Sequence, residues 1–415
     1  MELTVYRQAY KQRPDGTIVY KGEDALPFVN EQVLFVADGL GGASSIRHKS
    51  IVPEMFDPDK LPEILLGEPV GQHPHTDLVR YVKDSFFELF AVKNCYTDNI
   101  NNIKKSGYFA SRIVALILLD EFIYSKNPYP VDAWIRHLER LSENERAEVL
   151  EGAGELWAKL IRDNLRRIAD RAHLIYESAV SGLSLLGSTV TMTLFRETPD
   201  RVQAVYLTAG DSRPYYWSET DGLCQILPDE ERADGGMTNY IRANEDSTFR
   251  INCHYVVLPK PCILFNATDG CFDSKYFLSP MAFEKLLLET ATECDSPHDM
   301  GIRLEEIFKD YGKHDDSSTI AMKMFGYDDF AAVKSSAQAR LDVIRAKYLS
   351  KLPDLLDKDR SQTDAAEERP ETEVLKAYLQ ETLFENYLYG YRRYMAEDPV
   401  HPTDGSGKRS SNGGL

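Results

Sequence analysis

The chain has 415 residues, of which 43% are hydrophobic, and its formal net charge is −18. A chain of this length and apolar content is long enough for more than one domain and can bury a substantial core. The acidic balance argues against nucleic acid or an anionic membrane as the main partner, because both require a basic surface. It is compatible with an ordinary enzyme and with a cluster of carboxylates that holds cations.

The cysteines and the N-terminus indicate a reducing compartment. The six cysteines form no Cys-x-x-Cys pair and no regular framework, which is typical of buried, reduced thiols. The segment "MELTVYRQAYKQRPDG" lacks the apolar core of a signal peptide. The apolar stretch "IVALILL" is too short to span a bilayer. We therefore expect a cytoplasmic protein without a membrane segment.

The first half of the chain changes character twice. Residues 1–42 combine β-rich segments ("LTVYRQAY", "QVLFVAD") with a turn signal, "RPDG". Residues 43–108 contain a loop rich in Pro and Gly and then an amphipathic helical pattern. Residues 109–180 are helical throughout. The apolar positions of the first helical pattern recur at three- and four-residue steps: Leu78, Val82, Phe86 and Leu89.

The second half returns to strands and then ends in helices. From 185 to 326, apolar segments end on glycine or aspartate, with two short helices between them. A helical pair and a polar tail follow. These changes predict a domain over residues 1–326 with an insertion at about 43–108, a helical extension over 327–398, and a disordered tail over 399–415.

Carboxylates stand where the predicted strands end. The positions are Asp38 in "VADGLGG", Asp211 in "TAGDSR", Asp269 in "NATDG" and Asp315 in "HDDSST", with the pair Glu23–Asp24 in "KGEDAL" before them. Each alone is compatible with a turn, since aspartate bonds its own downstream backbone. Together they suit Mg²⁺ or Mn²⁺, which prefer oxygen ligands. A glycine after Asp38 would let a carbonyl approach a metal.

In their order along the chain and in their residues, these motifs resemble those of the metal-dependent Ser/Thr protein phosphatases, the PPM or type 2C family. The resemblance extends through "VADGLGG", "LGSTVTMTLF", "AGDSRPYYW", "ATDGCFD" and "HDDSSTIAMKMF", with an "ASR" helix start between the first two. It implies an α+β fold, an antiparallel β-sandwich flanked by helix pairs (α-β-β-α), here with extra helical elements. It also implies hydrolysis of phosphoserine and phosphothreonine in proteins, by direct attack of a hydroxide that bridges two Mn²⁺ or Mg²⁺ ions.

The resemblance also assigns roles to individual residues. Asp38 matches the acid that bridges both metals, and Gly39 would offer its carbonyl to one of them. Asp269 and Asp315 match ligands of the other metal. Glu23 and Asp24 match the early acidic pair, which contributes to metal binding through one acid and ordered waters, and either residue could be that acid. Asp211 and Asp273 match the acids of a third, weaker metal position. The strand from Gly187 to Leu194 is interpreted as packing.

Two positions depart from the family pattern. Leu40 stands where many eukaryotic members have histidine, the proposed acid for the leaving alcohol; bacterial members often have methionine there. Val19 stands where many members have a phosphate-binding arginine. Lys21 or Arg47 would substitute for it, unless both are surface charges.

Leu40 and Val19 motivate an alternative function. The alternatives to a protein phosphatase are a non-catalytic regulatory or binding module with the same fold and a phosphatase of small phosphometabolites. The expected partner is a phosphorylated protein.

The C-terminal helices either pack on the same chain or form an interface in a homodimer or with a partner. A run of tyrosines favours the interface; these are Tyr387, Tyr389, Tyr391 and Tyr394.

Overall fold

The computed structural model describes residues 3–10, 22–40, 53–67, 76–91, 106–125, 128–172, 186–227, 239–243, 249–272, 280–311 and 317–347. The strands are β1 (Thr4–Tyr10), β2 (Phe28–Val29), β3 (Val33–Val36), β4 (Gly187–Ser188), β5 (Val190–Glu197), β6 (Arg201–Ala209), β7 (Arg213–Ser218), β8 (Gly222–Gln225), β9 (Ile241–Arg242), β10 (Asn252–Pro259), β11 (Cys262–Ala267) and β12 (Ser317–Phe325). The α-helices are α1 (Leu61–Leu66), α2 (Thr76–Ser85), α3 (Phe87–Ala91), α4 (Ser106–Leu119), α5 (Val131–Arg140), α6 (Glu143–Arg171), α7 (Pro280–Glu293), α8 (Pro297–Tyr311) and α9 (Phe330–Lys347).

Two antiparallel sheets form the centre of the molecule. The first is five-stranded, in the order β1-β12-β11-β7-β8, and the second is five-stranded, in the order β10-β6-β5-β3-β2. The short strands β4 and β9 form a separate pair. Buried side chains from the facing sides of both sheets form one apolar cluster between them, which includes Leu34, Tyr206 and Leu264. The sheets are therefore the two layers of a sandwich.

The outer faces of both sheets are also buried. The second sheet packs against α4, α5 and α6, and the first sheet packs against α7, α8 and α9, so that the layers run α-β-β-α. Alternate residues of one strand thus enter different cores: Leu34 points between the sheets, whereas Val33 and Phe35 point towards the helices. Burial on both faces explains why these strands appear as apolar runs in the sequence. The predicted antiparallel sandwich with helix pairs is confirmed.

Polar as well as apolar side chains line the interface between the two sheets. Asn266 on β11 accepts a hydrogen bond from the Thr193 hydroxyl at 2.8 Å and donates to the Leu34 carbonyl at 3.2 Å, so that it links the two sheets. At a different part of the interface, the rings of Phe195 and Phe325 meet edge to face at 5.1 Å between centroids. The interface thus combines an apolar part with a hydrogen-bonded part.

Helix α9 packs on the same chain. Its buried side chains Val333, Leu341 and Ile344 belong to the core between the first sheet and α7. Arg340 forms an ion pair at 3.0 Å with Glu284 of α7, whose side chain is fully buried. The second predicted C-terminal helix lies outside the described residues, and the domain division at 326 stays a prediction.

The predicted helix over the 43–108 segment is present as α2, which buries Leu78 and Val82, and Phe86 and Leu89 are buried just after it. Among the described residues, no helix combines the length and the apolar character that crossing a bilayer requires.

Candidate metal centre

Three carboxylates meet at one end of the sandwich. Asp38, Asp211 and Asp269 each place a carboxylate oxygen within 4.8 Å of the others. Each of them stands two residues after the end of a strand, namely β3, β6 and β11. The first two strands belong to one sheet and the third to the other, so the acids meet across the sandwich. Strand ends have thus brought together acids that are 231 residues apart in sequence, since 269 minus 38 is 231.

The main chain of Asp38 is fixed by the turn before β5. The Asp38 amide donates to the Thr189 hydroxyl at 3.0 Å, and the Asp38 carbonyl accepts from the Thr189 amide at 2.8 Å. The Ser188 hydroxyl donates to the same carbonyl at 2.8 Å. Because these bonds use only the backbone of Asp38, they fix the residue without using its carboxylate.

Thr189 and strand β5 also hold the loop of Asp211. The hydroxyls of Thr189 and Ser212 lie 2.7 Å apart, and the Thr191 hydroxyl donates to the Ser212 carbonyl at 2.6 Å. Gly210 has φ of 106°, and a Cβ there would lie 2.6 Å from Thr189 Cγ2, so this turn requires glycine. Thr189 therefore connects the loops of two acids.

This role of Thr189 and Thr191 was missed in the sequence, where the strand is interpreted as packing. The available signal was the period-two run of Thr189, Thr191 and Thr193, all of them fully buried. Buried hydroxyls need hydrogen-bond partners, so a row of them on one strand indicates a polar neighbour.

Gly39 permits a close approach of two backbones. A Cβ on Gly39 would lie 2.2 Å from the carbonyl oxygen of Gly107, at the start of α4. The amide of Leu40 donates to the Gly187 carbonyl at 3.1 Å, and a Cβ on Gly187 would lie 2.2 Å from Leu40 Cδ1. The glycine after Asp38 is thus needed to seat this loop against α4, and Gly107, which the sequence analysis did not single out, is its partner.

The early acids have different surroundings. The Glu23 carbonyl accepts hydrogen bonds from the Ser111 hydroxyl and from Arg112 Nη1 at 3.4 Å. Its side-chain Oε2 lies 2.8 Å from where a Cβ on Gly107 would stand, beside the Asp38–Gly39 loop. The Asp24 carboxylate instead accepts hydrogen bonds from two threonine hydroxyls of the first sheet.

Arg112 is a buried cation close to these acids. Its side chain is 1% exposed, its Nε donates to the Ser85 carbonyl at 2.6 Å, and its guanidinium carbon lies 3.5 Å from the centre of the Tyr108 ring. Arg112 therefore joins α2, α4 and the Glu23 loop. The "ASR" motif marks the position of Arg112 in the chain, but these partners could not be predicted from it.

The pKa of one neighbouring thiol is strongly raised. Burial raises the pKa of the fully buried Cys271 thiol well above its usual value, and the carboxylates of Asp24 and Asp269 raise it further. In the metal-free protein the group is therefore a neutral thiol.

Several predicted site residues lie outside the described residues, and their roles stay predictions: Lys21, Arg47, Asp273 and Asp315. Arg213, next to the Asp211 loop, places its guanidinium carbon 3.9 Å from the centre of the Phe272 ring.

The donor set of the cluster suits a hard divalent cation. Carboxylate oxygens are the ligands that Mg²⁺ and Mn²⁺ take in proteins. Asp38 and Asp211 are each only 9% exposed, so their negative charges are poorly solvated. Like charges at this separation repel unless cations neutralise them. The cluster is therefore a candidate metal centre.

Comparison with known proteins found similar structures but no similar sequences. No known family model matches the chain, and no curated protein matches it significantly. The chain resembles the catalytic domain of the serine/threonine protein phosphatase PstP in complex with two manganese ions, with a TM-score of 0.40 at 15% identity over 77% of this chain and 98% of that one. It also resembles the serine/threonine phosphatase Stp1 from Staphylococcus aureus, with a TM-score of 0.39 at 14% identity over 78% and 97% of the two chains.

A third similar structure is PppA, a regulatory component of T6SS in Pseudomonas aeruginosa, with a TM-score of 0.37 at 16% identity over 78% of this chain and 100% of that one. PstP and Stp1 are serine/threonine phosphatases. Every one of these TM-scores is below 0.5, so these similarities do not establish a function.

Proposed function

We propose that the protein is a phosphatase of the PPM type, which hydrolyses phosphoserine and phosphothreonine in proteins with the help of Mn²⁺ or Mg²⁺. The observation that carries this proposal is the cluster of Asp38, Asp211 and Asp269, whose carboxylate oxygens lie within 4.8 Å of one another. We propose residues 1–326 as the catalytic domain, with α9 packed onto it, and a cytoplasmic location.

The proposed ligands are the three clustered carboxylates and the Gly39 carbonyl, with Asp315 and Asp273 from the sequence prediction. Two divalent cations, with a third position that is weaker, would supply an acidified water as the nucleophile and positive charge for the phosphoryl oxygens. The chain's own contribution is to hold the acids in place. Buried threonine hydroxyls and backbone contacts fix their loops, so no reorganisation is needed when a phosphate group binds.

Leu40 limits how the leaving alcohol obtains its proton. Its side chain is aliphatic and packs over Gly187, so residue 40 has no proton to give. The proton must come from water or another group in the cleft. Leu40 is also the observation that favours the alternative function, a non-catalytic module with this fold that binds phosphorylated partners.

Hydrolysis of an aryl phosphate separates the two functions. We expect turnover of p-nitrophenyl phosphate in Mn²⁺, no turnover in EDTA, and loss of turnover in Asp38→Asn. A matched control is Asp170→Asn, which alters an exposed acid on α6 and should leave the rate unchanged. Tight Mn²⁺ binding by the wild type without turnover would contradict the enzyme and support the module.

A second assay addresses the substrate class. We expect phosphoserine and phosphothreonine peptides to be hydrolysed with a higher kcat/KM than small phosphometabolites of the same charge. The reverse order would indicate a metabolite phosphatase. Activity on both substrate types at equal kcat/KM would contradict the proposed preference for proteins.

A further inference from the structure

We propose that Asp24 is a positioning residue, a clamp between the ends of β11 and β12 that fixes the Asp269 loop, and that it is not a metal ligand. The sequence left open which member of the Glu23–Asp24 pair is the more important. The contacts of the two side chains separate their roles.

The clamp consists of one carboxylate oxygen and two hydroxyls. Asp24 Oδ2 accepts hydrogen bonds from Thr268 Oγ1 at 2.9 Å and from Thr319 Oγ1 at 2.6 Å. The Thr319 amide donates to Thr268 Oγ1 at 2.8 Å, so the three groups form a closed set. Hydrogen bonds to an ionised carboxylate are the stronger kind, and 2.6 Å is within their short range.

Burial makes these bonds effective. Asp24 is 1% exposed, and both threonines are fully buried. In such surroundings a hydroxyl that loses its acceptor is not compensated by water. The backbone of Asp24 is fixed as well, since its amide donates to Ser317 Oγ at 3.3 Å and its carbonyl accepts from Gln8 Nε2 at 2.8 Å.

The clamp acts on the residues next to the metal centre. Thr268 directly precedes Asp269 in the chain, and the Thr268 carbonyl accepts from the Cys271 amide at 3.0 Å. The Asp269 carboxylate is in turn bonded by the Gly270 amide at 2.8 Å. Thr319 lies near the start of β12, four residues after Asp315 in the sequence. Asp24 therefore ties the ends of two strands of the first sheet, β11 and β12, to the segment before β2.

The Glu23 carboxylate lies in a different place from that of Asp24. Its Oε2 lies beside the loop of Asp38 and Gly39, close to the Gly107 backbone. Of the two acids it is the one whose carboxylate lies against the contact between Gly39 and Gly107. We infer that Glu23 is the member of the pair that acts on the metals, an inference that rests on the proposed function, whereas the clamp rests on contacts alone.

Whether the unfolding temperature rises or falls when Asp24 is replaced distinguishes a clamp from a metal ligand. In EDTA, removing one carboxylate from a set of crowded metal ligands relieves repulsion and raises the unfolding temperature. Removing a clamp breaks two buried hydrogen bonds and lowers that temperature. We expect Asp24→Ala to unfold several degrees below the wild type in EDTA and Asp24→Asn, which retains an acceptor oxygen, to fall between the two. An unfolding temperature of Asp24→Ala at or above that of the wild type would overturn the proposal.

Variants of Thr319 test the clamp if Asp24→Ala does not fold. Thr319→Val keeps the shape and removes the hydroxyl, whereas Thr319→Ser keeps the hydroxyl. We expect Thr319→Val to bind Mn²⁺ about 10-fold more weakly by calorimetry, the usual loss when a group that supports a ligand is removed, and Thr319→Ser to restore the affinity. The matched control is Thr193→Val, which removes a buried hydroxyl bonded to Asn266 and should leave the Mn²⁺ affinity unchanged.

The two proposals fail in different ways. If the wild type bound no Mn²⁺, the proposed function would fail while the unfolding temperatures in EDTA still decided the clamp. If Thr319→Val matched the wild type in both Mn²⁺ affinity and unfolding temperature, the clamp would be wrong even in an active, metal-dependent enzyme.

Discussion

Replacing Asp38 by asparagine should stabilise the metal-free protein. The three clustered carboxylate oxygens lie within 4.8 Å of one another, so Asp38 takes part in two repulsive pairs. At this distance and an effective dielectric constant of about 20, each pair of full charges repels by about 3.5 kcal/mol. Asp269 is partly exposed, which screens its share of the repulsion. We expect a net gain of about 1 to 3 kcal/mol in the free energy of unfolding after this screening.

The substitution leaves the supports of the loop in place, because the bonds of Thr189 and Ser188 go to the Asp38 backbone. The assay is chemical unfolding in EDTA and again in Mn²⁺. The wild type should gain stability from Mn²⁺ by mass action, about 4.1 kcal/mol at 1,000 times the dissociation constant, whereas Asp38→Asn should gain little. The order of stability is therefore expected to reverse between the two conditions. If the wild type were more stable than Asp38→Asn in EDTA, the predicted repulsion among the three carboxylates would be wrong.

Three further substitutions test other contacts. Glu284→Gln removes the charge that faces Arg340 in a buried ion pair and should lower the free energy of unfolding by about 3 kcal/mol. Thr189→Val disconnects the loops of two acids and should weaken Mn²⁺ binding about 10-fold, as measured by calorimetry. Gly210→Ala forces a side chain onto φ of 106° and against Thr189, so it should destabilise the protein by about 1 to 3 kcal/mol in chemical unfolding.

Each of these has a matched control. Arg345→Ala breaks an exposed ion pair of the same helix as Arg340 and should change stability by less than about 0.5 kcal/mol. Thr193→Val should leave Mn²⁺ affinity unaltered, and Gly152→Ala, in a helix with open space around it, should stabilise by up to about 1 kcal/mol. Equal effects in a variant and its control would show that the contact in question has no special role.

Much of the fold could be predicted from local sequence. Apolar segments that end on Gly or Asp correspond to strands, as in "QVLFVAD" and β3, and the three-and-four spacing of Leu78 and Val82 corresponds to α2. The face that each strand residue occupies could not be predicted, because the strands are buried on both sides and lack alternation. Whether α9 packs on the same chain or on a partner could not be predicted either, because an apolar helix face fits both.

The acids of the site could be found from sequence because each follows a strand end, where a glycine or turn makes the pattern visible. The groups that support them could not. Thr189, Thr268 and Arg112 form hydrogen bonds with residues that are far from them in the chain. These partners come within reach only once the sheets have packed. The resemblance implies a third, weaker metal position for Asp211, and in the structure its carboxylate lies in one cluster with Asp38 and Asp269.

Anomalous scattering from crystals soaked in Mn²⁺ would show whether the carboxylate cluster binds metal. We expect Mn²⁺ peaks within coordination distance, about 2.0 to 2.6 Å, of carboxylate oxygens of Asp38 and Asp269, and their loss in crystals of Asp38→Asn. Mn²⁺-soaked crystals that diffract well but show no peak between these carboxylates, or peaks only on exposed acids elsewhere, would contradict it.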